Sequence, residues 1–429
     1  MAMKSHRSRT LAVIAALALA LAPAAAHAAC EPGAYRAPDG DFVVVTNSRN
    51  PSQPGQRYVF RDGRRGGVDD AGSPVACAEN AAVVHAAGGE ISWPRVAFTV
   101  TPTTFESVET TMAGQLIEPP GPPDPHRPLV VLVHGSEQTA AIGSQLPFVL
   151  AAQGLSVFVY DKRGTGGSGG YYTQNFELLA DDAAAALTAG RKLAAGRFDR
   201  AGFFGGSQGG WIAPLAANRS SADFVGIAYG LVASPIEEDR AQMELEVRAL
   251  GLGDNEVALT DRLSKASTGI ILSGFKEGYD ELATVKREMA DKRWAAKIEG
   301  EWSGAFLRMP ERELRRIGRA RFDNVELIWN YDAMHPLRDL KAPLLWVLAG
   351  EDREAPIGET KSALTRLIKE GKDVDLYVFP NTDHGMLEFT TAPDGSRTAT
   401  RVTEGYYRLV GDWIKGKVSG PYGQAQQVK

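Results

Sequence analysis

Cysteine is nearly missing from this chain: two residues in 429, Cys30 and Cys77. Neither has a histidine arranged beside it as in a cysteine hydrolase. With no H-E-x-x-H, no paired cysteines and no close carboxylate–histidine cluster, metal ligation finds no support either. Strong charge of one sign is absent as well. A net charge of −5, without any basic stripe interleaved with aromatics, argues against a nucleic-acid partner. No segment repeats. What remains is 44% hydrophobic and 23% charged, the balance of a globular protein with material for a large core.

The longest early apolar run, Leu11 to Leu21, is too short to span a bilayer comfortably and follows Lys4, Arg7 and Arg9. Ala26-His27-Ala28 then supplies a small-x-small cleavage site, so residues 1–28 read as a secretory signal peptide. The expectation is an exported protein, periplasmic or secreted, with no membrane span in the mature chain. Cys30 sits where a lipoprotein cysteine would, but His27 occupies the position where such signals carry leucine or a similar residue. Lipidation therefore ranks behind plain export. In an oxidising compartment Cys30 and Cys77 are expected to pair as a structural disulfide.

Residues 29–105 read as a small β-rich N-terminal module. Phe42 to Thr46, Arg57 to Phe60 and Arg95 to Val100 carry the β-branched and aromatic residues of strands, and Asp62-Gly63 signals a hairpin turn. Met112 to Ile117 predicts a further strand, followed by a proline-rich connection to Pro128 that cannot join a sheet. Then come continuous apolar runs, Leu129–Val133, Leu155–Tyr160, Ala201–Phe204, Val225–Leu231, Pro343–Leu348 and Val374–Phe379, typical of parallel strands covered on both faces. Helices are expected at 176–194, 211–217, 359–370 and 401–415. The segment 236–335 is charge-rich and helical in pattern, and reads as a cap inserted into a core of 106–235 and 336–418. Residues 419–429 read as a loose tail.

Gly164-Thr165-Gly166-Gly167-Ser168-Gly169 matches the dinucleotide fingerprint but fails on context. Helical sequence begins only near Phe176, so no helix N-terminus opens at the last glycine to receive a pyrophosphate. No cofactor is expected, and the stretch reads as a flexible loop beside the site.

Gly205-Gly206-Ser207-Gln208-Gly209 fits G-x-S-x-G between a predicted strand and a predicted helix. A serine on so sharp a turn brings the chain before and after it together, which demands small neighbours. Serine alone is a poor nucleophile and needs a base and an orienting carboxylate. Both follow in the order Ser…Asp…His at strand ends: Asp352 after Leu348, and His384 after Phe379. Glu351 is the rival acid and Asp383 a weaker one; Pro356, four residues on, favours Asp352. His335 is the reserve histidine. Charge developing on a carbonyl oxygen would meet the backbone N–H of Gln208 and that of Ser136 or Glu137, in the loop opened by His134.

Val133-His134-Gly135-Ser136, Tyr160-Asp161-Lys162-Arg163-Gly164 and Gly205 to Trp211 resemble the motifs of serine α/β-hydrolases. The resemblance is to secreted bacterial carboxylesterases and to the prolyl oligopeptidase and acylaminoacyl peptidase branch. It implies an α/β-hydrolase fold with an inserted helical cap, Ser207 as nucleophile, Asp352 as acid and His384 as base. The implied activity is hydrolysis of a small ester. A peptidase with the same three residues, an acyltransferase and a non-catalytic binding protein are the alternatives.

Overall fold

The computed structural model describes residues 29–86 and 88–429; the expected signal peptide lies outside them. Up to Val133 every named element is a strand. β1 (Gly33–Arg36), β2 (Phe42–Asn47), β3 (Gln56–Phe60) and β4 (Arg65–Gly67) form one antiparallel sheet. β5 (Val75–Ala78), β6 (Ala81–Ala86) and β7 (Gly89–Pro94) form another. Arg95 contributes only an isolated bridge to Tyr35, and the strand expected at 95–100 starts instead at Thr99.

The central sheet has nine strands. To β8 (Thr99–Ser107) and β9 (Thr110–Glu118) it adds β10 (Leu129–Val133), β11 (Ser156–Tyr160), β12 (Ala201–Gly206) and β13 (Val225–Ala228). β14 (Leu344–Ala349) and β15 (Val374–Phe379) continue it. After β16 (Thr382–Asp383), β17 (Leu387–Thr391) and β18 (Arg397–Val402), the chain returns to the edge as β19 (Gln426–Val428). The order is β19-β15-β14-β13-β12-β10-β11-β9-β8, parallel from β15 to β11 and antiparallel at both ends. The last residues are thus no loose tail. β19 pairs with β15, and Tyr422 is buried.

The unbroken apolar runs follow from burial on both sides. Leu129, Val131 and Val133 face α2 (Phe176–Leu193), α3 (Gly209–Ser220), α9 (Met334–Asp339) and α10 (Ile357–Lys369). Val130 and Leu132 face α1 (Gln145–Ala152) and α11 (Tyr406–Ile414). α11 is shorter than the helix expected from 401, because Arg401 and Val402 belong to β18. Between β13 and β14 the chain departs into α4 (Pro235–Ala249), α5 (Asp254–Leu272), α6 (Tyr279–Met289), α7 (Ser303–Arg308) and α8 (Glu311–Phe322). These helices bury an apolar cluster of their own, with Trp302 edge-on to Trp329. No helix among the described residues is long and apolar enough to cross a membrane.

The N-terminal sheets are built into this scaffold. One face of β1–β3 packs Tyr35, Val43, Val45 and Phe60 against β5–β7, while Ala34, Phe42, Val44 and Val59 join the cluster around α1. The β3–β4 turn is tied to β18, where Val402 N–H donates to the Gly63 carbonyl (2.9 Å). Gly63 has φ 96°, and a Cβ there would run into the Val402 carbonyl, so the turn requires glycine. Cys30 and Cys77 form a disulfide across 47 residues. Replacing both by serine is expected to lower the unfolding free energy by about 4 kcal/mol, the loop-closure value for that span. Denaturant unfolding would read it, and an unchanged midpoint would assign the module's cohesion to packing alone.

Candidate active site

β12 ends at Gly206 and α3 begins at Gly209, leaving Ser207 and Gln208 to make the turn. Ser207 has φ 51°, a left-handed conformation that costs a non-glycine residue of order 1–2 kcal/mol and marks stored strain. The turn holds because its neighbours are small. A Cβ on Gly205 would lie 3.0 Å from the Gly209 Cα, and one on Gly206 would strike the Tyr229 hydroxyl. Ser207 N–H donates to the Ala228 carbonyl (3.1 Å), which pins the turn to the neighbouring strand β13. Pro214 falls in the second turn of α3.

His384 follows β15 and the short β16. Its Nε2 lies 3.2 Å from Ser207 Oγ, and its Nδ1 lies 2.9 Å from Asp352 Oδ2. Asp352, just beyond β14, is buried and its other oxygen accepts the backbone N–H groups of Glu354 (3.0 Å) and Ala355 (2.7 Å). That leaves Oδ2 free for the imidazole alone. Burial pulls the His384 pKa down, but the hydrogen bond and charge of Asp352, with Glu354 and Asp383 nearby, outweigh it and raise it above 6.5. The ring also lies edge-on to Tyr229, centroids 5.0 Å apart.

The alternative acids are occupied elsewhere. Glu351 bonds Arg397 (2.7 Å), and so does Asp383 (2.7 Å), which also accepts the N–H groups of Arg353 and His384. Burial pushes the Asp383 carboxyl up, yet Arg397 and those amides hold it below its ordinary value. His335 lies on the surface beside Asp339 (3.6 Å), away from the serine. His134 is buried with Nε2 2.8 Å from the Tyr160 carbonyl. Burial, then the charges of Lys162 and Arg49, push its pKa well below 6.5, so it stays neutral.

The loop His134–Glu137 leaves β10 beside Ser207. Its shape depends on Lys162, which sequence reasoning passed over. The ammonium is buried at the end of β11 and donates to the carbonyls of Gly135 and Glu137, with Gln208 Oε1 at 3.5 Å and the Tyr172 ring beneath it. A carbonyl that points at Lys162 turns the following N–H groups, those of Ser136 and Gln138, the other way. Tyr172 adds a hydrogen bond to the Ser136 carbonyl (2.6 Å). Burial lowers the Lys162 pKa to about 8, with Glu137 opposing. Gln208 stands at the N-terminal, positive end of the α3 dipole.

The flanking charges serve the same corner. Asp161 accepts the N–H groups of Ala141, Ile142 and Gly167 (2.8–2.9 Å), and Arg163 makes a buried two-pronged pair with Asp182 (2.6 and 2.8 Å). The glycine-rich stretch 164–170 is hydrogen-bonded to Asp161 and Thr111, and α2 starts only at Phe176, capped by Asn175. The signal for Lys162 and Asp161 in the sequence was three consecutive charges directly after an apolar strand.

Two cavities meet at His384. One, of about 610 Å³, holds Ser207 and the 134–137 loop and is walled on its far side by Arg49, Val59 and Arg65 of the N-terminal module. The other, of about 550 Å³, lies between the cap and the β17–β18 hairpin, with Gln242, Glu301 and Glu354 on its walls. Glu354 Oε1 stands 3.4 Å from His384 Nε2.

No curated protein matches the sequence. Among solved structures the chain is similar to an acylaminoacyl peptidase of Pyrococcus horikoshii, at 14% identity and TM-score 0.46 over 86% of this chain and 49% of that one. It is also similar to an esterase of Pyrococcus furiosus, at 15% identity and TM-score 0.45 over 75% of this chain and 92% of that one. A third is dipeptidyl peptidase 4 of Porphyromonas gingivalis, at 13% identity and TM-score 0.43 over 90% of this chain and 49% of that one. The chain spans about half the length of the two peptidases. The sequence model of the alpha/beta hydrolase family matches residues 130–395, from β10 to the β17–β18 hairpin. With that match and the nine-stranded, mostly parallel sheet flanked by helices, the chain belongs to the α/β-hydrolase family.

Proposed function

We propose that this chain is an exported serine hydrolase that cleaves carboxylic esters through an acyl-enzyme on Ser207. The observation that carries the reading is the unbroken line Asp352–His384–Ser207, at 2.9 and 3.2 Å. His384 Nε2 takes the serine proton as Oγ attacks the ester carbonyl, and Asp352 steadies the imidazolium that forms. The carbonyl oxygen, now negative, is met by the Gln208 amide and by an amide of the 136–137 segment. His384 then passes its proton to the departing alcohol. Water repeats the cycle on the acyl-enzyme and frees the acid. Export is supported by the disulfide, which persists in oxidising compartments.

An aminopeptidase or acylpeptidase with the same three residues is the second reading. It draws on Glu301 and Glu354, carboxylates facing the cleft beyond His384, where an ammonium group would find partners. Initial rates on p-nitrophenyl esters beside aminoacyl and N-acyl-aminoacyl anilides separate the two.

Ser207→Ala is expected to abolish ester turnover. Asp352→Asn should lower kcat by about 10⁴-fold through loss of imidazole orientation. Glu351→Gln, outside the line, should change it little, and equal losses in both acid variants would overturn the assignment of Asp352.

A base must be unprotonated, so kcat/KM should fall as pH drops through a value above 6.5, the direction in which Asp352 moves His384. A profile still flat at pH 6 would contradict this.

Lys162→Met frees the loop carbonyls and should lower kcat by about 10²-fold, comparable to losing one oxyanion donor. Its stability effect has a defined sign. The lysine binds its proton more weakly folded, about 8, than unfolded, 10.5, so the unfolded state holds more protons between those values. The native chain should gain on the order of 2–3 kcal/mol relative to Lys162→Met as pH rises from 8 to 10.5. Urea unfolding at pH 7.5 and 10 measures the difference, and a constant gap would refute the desolvated ammonium.

A further inference from the structure

The geometry points to a substrate that carries a carboxylate: an ester whose portion lying between the 134–137 loop and the N-terminal module is anionic and is held by Arg65 and Arg49. This rests on the esterase reading above and adds a substrate class to it.

The cavity at Ser207 has walls from two parts of the chain, and its cations come from the module. Arg49 follows β2, and Arg65 opens β4. Their neighbours Arg57 and Arg64 pair with Asp70 (3.6 Å) and Asp62 (2.8 Å). Arg49 and Arg65 have no carboxylate partner among the described residues. Arg49 spends one N–H on the Ala140 carbonyl, a neutral acceptor. Two carboxylates share the cavity with them. Glu137 stands near the buried Lys162 ammonium, and Glu354 lies 3.4 Å from His384 Nε2. The module's own share of the wall is cationic, from Arg49 and Arg65.

The arginines are held there by design of the fold. The turn before Arg65 is fastened to β18 through Gly63 and Val402, and the Arg401 guanidinium donates to the Asp62 carbonyl. Val402 itself lines the cavity. Arg65 also lies close enough to Tyr407, another residue lining the cavity, for its charge to act on that hydroxyl. A second cavity of about 560 Å³ shares Arg49, Arg65, Thr139 and Gln145 with the first. Guanidinium forks suit carboxylates in geometry as well as charge.

The test compares kcat/KM within two matched pairs. Mono-p-nitrophenyl glutarate against p-nitrophenyl pentanoate places the carboxylate in the acyl chain. 3-Acetoxybenzoate against phenyl acetate places it in the alcohol. At least one pair should favour the anion by roughly three- to tenfold, and the pair that does identifies which half faces the module. That ratio should fall toward one in Arg65→Ala and in 0.5 M salt, survive in part in Arg65→Lys, and invert in Arg65→Glu. No anionic preference in either pair, or a preference unmoved by both Arg65→Ala and Arg49→Ala, overturns the inference while leaving the esterase reading intact. Absence of any Ser207-dependent ester cleavage overturns that reading instead. The pocket is then judged by calorimetry with glutarate and the Ser207→Ala protein: binding lost on adding Arg65→Ala supports it, and no binding overturns it.

Discussion

A parallel sheet covered on both faces leaves polar side chains one outlet, the carboxyl edge of its strands. Here β10, β12, β14 and β15 are buried along both faces by helices and by part of the N-terminal module. Backbone hydrogen bonds are spent within the sheet, so chemistry has to sit in the turns that follow. The 134–137 loop, Ser207 and Asp352 lie in the turns after β10, β12 and β14, and His384 follows β15 by way of the short β16. Their convergence is a consequence of strand order: β10 and β12 are neighbours, β13 lies next, then β14 and β15.

Around that edge, buried charge is used as scaffolding. Lys162, Asp161, Arg163 and Asp182 are all nearly inaccessible, and every one has polar partners within hydrogen-bonding reach. Desolvating an ammonium is costly, and the depressed Lys162 pKa registers that cost. What is gained is a loop whose Gly135 and Glu137 carbonyls are fixed on the ammonium. The same logic explains Arg397, which gathers Glu351 and Asp383 and leaves Asp352 as the carboxylate at the imidazole Nδ1.

Much of this was legible from residue order. Runs such as Leu129–Val133 and Val374–Phe379 announce strands because burial on both faces permits nothing polar in them. Gly205–Gly209 announces the sharp turn because only small residues fit it. The β16–β18 sheet that flanks His384 was not legible: Arg397-Thr-Ala-Thr-Arg-Val402 is polar and short, and joins a strand only because β17 lies beside it. Nor was β19, whose Gln-Gln-Val carries no strand pattern and is fixed by the free edge of β15. The start of β8 slipped for a related reason. Arg95–Phe98 has the right residues, but it spans the step between two sheets.

What the sequence determined by itself is local: which segments must be buried, where the backbone must turn tightly, and in what order a hydroxyl, a carboxylate and an imidazole follow the strands. Those are properties of neighbouring residues and of side-chain size and polarity. Which carboxylate reaches His384, what holds the loop after β10, and which module walls the cavity were decided only by tertiary structure. Each depends on residues tens to hundreds of positions apart. Lys162 meets Gly135, Arg397 meets Glu351, and Val402 meets Gly63 only once the sheet has assembled and brought their strand ends together.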